Sequence, residues 1–376
     1  MMQIAWFLGQ PSILKTCRSF EQLVHRTIFT AEQLSVDKYV RDRERFKMSL
    51  QAGSSEMKRT NFKKRLEYKT VAPNLIVNDL TQFLHLINDT SDDFALLEKA
   101  LNKFKNTDID NVRKVSIGSI LMRMLHHFQN NELASKFYND QILRKNYLSS
   151  KHCLLLFFDL LFKQEQYAEF LRHFQELREQ LDAKQQTITR SIFILVFATL
   201  YSQNTDKSFD YAKQLNDQYK DLHITQDHLV FLSALALNQN NPHIAEEQLL
   251  TLWPSAHQAI PTLRLIALIR MHKFVDALQV LRSLLLVYDE SRTEKDDVVS
   301  SEAIDEAEKM FDECCNDDRL RADFKQLRDN LKTHGYITDK NVRSMVHEPF
   351  RSGKMTTLQS NKMYLQAEFN RNHHFR

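Results

Sequence analysis

Apolar side chains recur along this chain at three- and four-residue spacing. Leu80, Phe83, Leu84, Leu86 and Ile87 fall on one helical stripe, and Ile117, Ile120, Leu121, Met124, Leu125 and Phe128 on another. Residues 154–162, broken only by Asp159, and residues 192–200 and 229–237 are denser apolar runs. Such runs predict helices buried on most sides, as inner helices of a stacked array are. Strand alternation is scarce, and Asn-Gly and Asp-Gly turns are absent.

The predicted helices come in pairs. An apolar first helix leads through a short polar loop to a second helix with a small residue near its start. Ala95, Ala134, Ala168, Ala212, Ala245 and Ala277 mark the second helices, at intervals of 39, 34, 44, 33 and 32 residues. Two antiparallel helices of about 12–15 residues with their turns need about 34–40 residues. An alanine lets two backbones approach where helices cross. One hairpin cannot bury both of its faces, so stacked hairpins share a core. The fold predicted is all-α, a solenoid of helix-turn-helix repeats over residues 73–288. An irregular all-α domain with chance alanine spacing is the competing reading.

Only 5 glycines and 6 prolines occur in 376 residues, which excludes glycine-dependent dinucleotide and P-loop folds. The net charge of +3 hides segregation. Residues 38–69 carry 11 Lys/Arg against 4 Asp/Glu, residues 289–329 carry 15 acidic against 7 basic, and residues 340–376 carry 7 basic against 2 acidic. A basic arm for an anionic polymer is one reading of such blocks, and a solvated surface is the other. The chain divides into an N-terminal segment 1–29, a basic helical region 30–72, the repeats, an acidic helical segment 289–332, and a basic tail 333–376 expected to be extended or partly disordered. Residues 1–30 hold Lys15, Arg18 and Arg26 against a single acid, Glu21, among scattered apolar residues. That start suits a mitochondrial transit peptide cleaved near Phe29 better than a secretory signal, with an ordinary first helix as the alternative. No run is long and apolar enough to predict a membrane span.

Enzyme chemistry finds no support in these residues. The nucleotide and nucleophile-elbow glycine motifs are missing, and so is the His-Glu-x-x-His zinc motif. His126-His127 and His373-His374 are adjacent pairs, which diverge by about 100° on a helix and make poor paired ligands. Cys17, Cys153, Cys314 and Cys315 lack zinc or disulfide spacing and fit a reducing compartment. Cys153, beside His152, opens an apolar helix and reads as core. The expectation is no catalytic residue, no cofactor and no metal.

Hairpin arrays bind extended partners along the face built by their first helices. One class takes peptide segments; another takes single-stranded RNA, through cations for phosphates and polar groups for base edges. Basic candidates at repeat junctions are Arg113, Lys114, Arg144, Lys145, Lys151, Lys184, Arg190 and Arg264. The densest patch is Lys58, Arg59, Lys63, Lys64 and Arg65, interleaved with Phe62 and Tyr68.

Several stretches resemble the mitochondrial pentatricopeptide repeat domain-containing protein 2 family of animals. They are Asn61-Phe62-Lys63-Lys64-Arg65-Leu66, Leu80-Thr81-Gln82-Phe83-Leu84-His85-Leu86, Ala234-Leu235-Ala236-Leu237-Asn238-Gln239-Asn240, and the tail through Asn361-Lys362-Met363. The resemblance extends from about Arg26 to the C-terminus. It implies a right-handed superhelix of pentatricopeptide-like repeats in the mitochondrial matrix. It further implies a non-catalytic role in mitochondrial RNA maturation, and through that in respiratory-chain function. Single-stranded mitochondrial RNA is the expected partner, with other mitochondrial RNA-processing proteins beside it. In ordered arrays of this kind a polar residue near the start of each first helix reads a base. Fifteen positions before the repeat alanines stand Ser119, Cys153, Val230 and Thr262. Ser119 and Thr262 can bond a base edge, Val230 cannot and Cys153 does so poorly, so no one-residue-one-base code is legible. A protein-binding adaptor on tetratricopeptide-like repeats is the alternative function.

Overall fold

The computed structural model describes residues 28–50, 54–67, 73–105, 111–184, 186–219, 226–252, 257–285 and 298–349. The expected targeting segment up to residue 27, most of the acidic linker and the tail from residue 350 lie outside them. The described chain is all-α and repetitive. Helices α1 (Val36–Met48) and α2 (Ser54–Glu67) precede seven hairpins. These are α3 (Pro73–Leu86) with α4 (Ser91–Phe104), α5 (Asn111–His127) with α6 (Asn131–Asn139), and α8 (Lys151–Lys163) with α9 (Tyr167–Ala183). Then follow α10 (Arg190–Gln203) with α11 (Asp206–Tyr219), α12 (Leu229–Asn238) with α13 (Pro242–Leu252), α14 (Ala259–Arg270) with α15 (Phe274–Leu285), and α16 (Ser301–Cys314) with α17 (Asp318–Thr333). A short helix, α7 (Gln141–Asn146), is inserted after α6.

The first helices pack in a row, α3 on α5, α5 on α8, α8 on α10, α10 on α12, α12 on α14 and α14 on α16. The central ones, α8, α10, α12 and α14, are apolar nearly all round, which is why α10 and α12 are buried almost from end to end. Second helices bury one stripe between neighbouring first helices; α13, for instance, packs on both α12 and α14. The acidic helices α16 and α17 are not a separate segment. They form the seventh hairpin, with α17 against α15, because Ala303, Ile304, Ala307, Phe311, Phe324 and Leu331 present one apolar face.

The repeat is written most clearly in the turns. Asn130, Gln166, Asn241 and Lys273 donate their backbone N–H to Leu125, Leu161, Ala236 and Leu268, each closing the same six-residue C-terminal motif. The residue before each of them, Gln129, Glu165, Asn240 and His272, has φ between 53° and 58°. The backbone thus repeats where the side chains do not. This corrects the alanine register at three units. Ala134, Ala212, Ala245 and Ala277 are fully buried, but Ala95 and Ala168 are exposed. Phe94, Phe170 and Phe209 stand where Ala134 and Ala245 stand, as the first residues to bond back into the turn, and Ala212 lies three residues beyond that position. An aromatic ring fills the crossing there in place of a close approach.

Both ends of the described chain fold onto the first-helix face. Helix α1 packs on α3 and α5. Its Tyr39 hydroxyl donates to Leu84 O at 2.8 Å and its Arg43 Nη2 to Ile87 O at 2.7 Å, both at the C-terminal end of α3. At the other end, strand β2 (Ile337–Thr338) pairs in parallel with β1 (Val299–Ser300), in the register Val299 to Ile337. Helix α18 (Val342–Val346) then packs on α12 and α14. The start of the basic tail is therefore ordered core rather than extended chain: Met345 and Val346 are fully buried.

Candidate nucleic-acid interface

The base-reading positions are mostly closed. Thr262 is fully buried, accepts the Ser300 N–H at 3.1 Å and donates to Met345 Sδ, so it cannot meet a base edge in this conformation. Val230 and Cys153 are buried as well, and burial pushes the Cys153 thiol up. Ser119 is half-buried and donates to Val115 O one turn back, with Cys153 Sγ 3.9 Å away. Of the two positions able to bond a base edge, Thr262 is covered by the chain's own Ser300 and Met345, and Ser119 is turned onto its own helix.

The arginine candidates are mostly spent on internal partners. Arg59 pairs with Asp93 and Arg65 with Asp79. Arg190 pairs with Asp227, and Arg144 reaches Glu176 at 3.5 Å and Gln180 at 3.2 Å while lying over the Tyr138 ring. Arg264 is largely buried against Glu246 at 2.9 Å, joining α14 to α13. Each fork geometry suits a carboxylate, which is why arginine rather than lysine holds these joints. The side chain of Arg113 lies outside the described residues, as does Tyr68. The lysines behave differently. Lys63, Lys64, Lys145, Lys151 and Lys184 are exposed, Lys114 is half-exposed, and none has an ion pair with a described residue.

Lys47, Lys58, Arg59 and Arg65 meet at one corner, where α1 crosses the end of α3 and α2 packs beside it. A groove of about 290 Å³ opens there, lined by Lys58, Asn61, Arg65, Asp79 and Gln82 over a floor of Phe62 stacked on Phe83 at 4.6 Å. Lys58 Nζ donates to Gln82 at 2.8 Å and lies 5.1 Å above the Phe46 ring. Lys47 is exposed; partial desolvation and its neighbours Arg43 and Arg59 hold its ammonium below the ordinary lysine range. The Arg43 Nε and His85 Nδ1 atoms are buried without hydrogen bonds. His85 stacks on Tyr39 at 5.4 Å, and burial together with Arg43 keeps its imidazole pKa low.

Lys47 and Arg43 were not singled out from the sequence. Their spacing with Tyr39 places all three on one face of α1, but only the crossing of α1 over α3 makes that face part of the α2 patch. Among the described residues no cluster of His, Cys, Asp and Glu could hold a metal, and no helix is long and apolar enough to cross a membrane. No protein-family model and no curated protein matches this chain.

Proposed function

We propose that this chain is a non-catalytic RNA-binding protein of the mitochondrial matrix. In this reading it grips single-stranded RNA by its phosphates at the α1–α2–α3 corner and serves RNA maturation, and thereby respiratory-chain function. The array is read as a right-handed superhelix of pentatricopeptide-like hairpins. The observation that carries the proposal is a groove lined by Lys58, Asn61 and aromatic rings, at a corner whose helices α1 and α2 also carry the exposed, uncompensated ammonium groups of Lys47, Lys63 and Lys64. Phosphates supply the missing negative charge, and a splayed base has Phe46 and His85 nearby to stack on.

The test is binding of single-stranded mitochondrial transcripts by the full chain across salt. Each phosphate contact contributes about 0.7 to the salt slope for single strands. Reversing Lys47, Lys63 and Lys64 to Glu lowers affinity and flattens the slope by about 2. A slope of zero, or a triple variant that binds as the parent does, removes the proposal. The protein-binding adaptor is the second reading. Leu250 and Val275 favour it, as they are 53% and 52% exposed on the second helices α13 and α15. Crosslinking in mitochondria that yields protein adducts and no RNA adducts decides for it.

A further inference from the structure

The first-helix face from α8 to α14 already holds an occupant, the chain's own residues 336–349. Its centre is His347. The imidazole is buried among Phe162 of α8 (6.1 Å, 25° between planes), Tyr201 of α10 (5.4 Å) and Phe231 of α12 (6.0 Å). Its Nε2 lies 3.4 Å from the Ser202 hydroxyl. Three successive repeats thus each contribute one ring to a slot for a flat nitrogen heterocycle. A hydroxyl at its edge can either donate or accept.

The arm has no hairpin of its own; it is seated by the buried Met345 and Val346 and tied along its length by single polar contacts. Ser300 Oγ donates to Lys340 O at 2.7 Å, Val342 N–H donates to Glu302 at 3.0 Å, and His257 Nε2 lies 3.2 Å from Glu348 O. The two-residue pairing of β1 with β2 anchors its start.

We propose that this arm is an internal ligand that keeps a base-binding slot closed, and that a nucleobase of single-stranded RNA takes the place of the His347 ring when the arm lifts. The inference rests on the RNA reading above but concerns a different site. Base stacking on aromatic rings is sequence-tolerant, because every base has a π-face. The slot therefore needs no code. RNA tethered by its phosphates at the α1–α2–α3 corner presents its downstream bases at high effective concentration, which is what competition with a covalently attached arm requires.

The experiment is amide hydrogen exchange on the full chain, with and without a mixed-sequence single-stranded RNA, paired with the affinity of a His347→Ala chain. RNA binding is expected to raise exchange in residues 337–348. His347→Ala is expected to bind RNA about tenfold more tightly, since the competing ring is gone and tenfold falls within the range of one stacking interaction. Unchanged arm exchange together with equal affinity overturns this inference and leaves the phosphate corner standing. No RNA binding by either chain overturns both. Should His347→Ala fail to fold, exchange on the unaltered chain decides alone.

Discussion

The His126 imidazole and the Asp159 carboxylate meet at 2.7 Å, both buried, between α5 and α8. Lys163 Nζ joins them at 2.9 Å from the same carboxylate oxygen. Burial alone raises the Asp159 carboxyl pKa. The His126 hydrogen bond and the Lys163 ammonium outweigh it and hold the pKa below the usual carboxylate range. Asp159→Ala leaves a histidine and a lysine without their partner inside the stack and is expected to cost about 3–5 kcal/mol. Changing Asp159 to Leu and His126 to Phe together costs less, because only Lys163, which is partly exposed, loses a charge partner. Urea unfolding of the two variants measures the difference.

Gly118 on α5 is a position where a side chain cannot be accommodated. A Cβ there would lie 1.7 Å from Tyr147 O, a backbone atom fixed by the turn after α7. Gly118→Ala must push α5 away from that turn, at an expected cost of about 3 kcal/mol in chemical denaturation. A stability within experimental error of the parent contradicts the packing described.

Acid weakens this fold through its histidines. Burial holds the pKa values of His85, His127, His152 and His173 below the ordinary imidazole range, and the adjacent cations Arg43, Arg123 and Arg172 add to it. The folded chain therefore binds fewer protons than the unfolded chain just below about pH 6.5. The stability these groups contribute is present above that pH and is lost as pH falls through the folded values. The urea midpoint is expected to drop between about pH 7.5 and pH 5.5. A rising midpoint contradicts this account.

Arg264 and Lys64 separate a structural charge from one proposed to meet RNA. Arg264→Ala strands a nearly buried Glu246 and is expected to cost about 3 kcal/mol of stability, with RNA affinity unchanged under conditions where the chain stays folded. Lys64→Ala has the opposite profile: stability within about 0.5 kcal/mol of the parent, and weaker binding that fades at high salt. Thermal melts and filter binding on the two variants give both readouts.

The paired helices were legible because burial forces apolar spacing onto every first helix, and residues 154–162 and 192–200 could hardly be read otherwise. Register was harder. Ala95 and Ala168 mimicked the small residue of the crossings, while the true equivalents, Phe94 and Phe170, are large. What recurs is a left-handed backbone position filled by Gln, Glu, Asn or His, and residue identity carries little of that. The candidate site divided along the same line. Clustered Lys63 and Lys64 were visible as a charge run. The ion pairs that neutralise Arg59, Arg65, Arg190 and Arg264 join residues 14 to 37 positions apart or on different helices, and no local pattern announces them. The folding of both ends of the described chain onto the first-helix face is also a long-range event; it closed Thr262, a residue able to bond a base edge.

The central claim is that RNA phosphates dock at the corner where α1 and α2 meet α3. Ultraviolet crosslinking of the full chain to single-stranded RNA, with the adducted peptides identified by mass spectrometry, tests it most directly. The account predicts adducts concentrated in residues 36–67, lost at high salt and lost when Lys47, Lys63 and Lys64 are reversed. Adducts confined to the second helices α13, α15 and α17, or no adducts under conditions where a control RNA-binding protein crosslinks, contradict it.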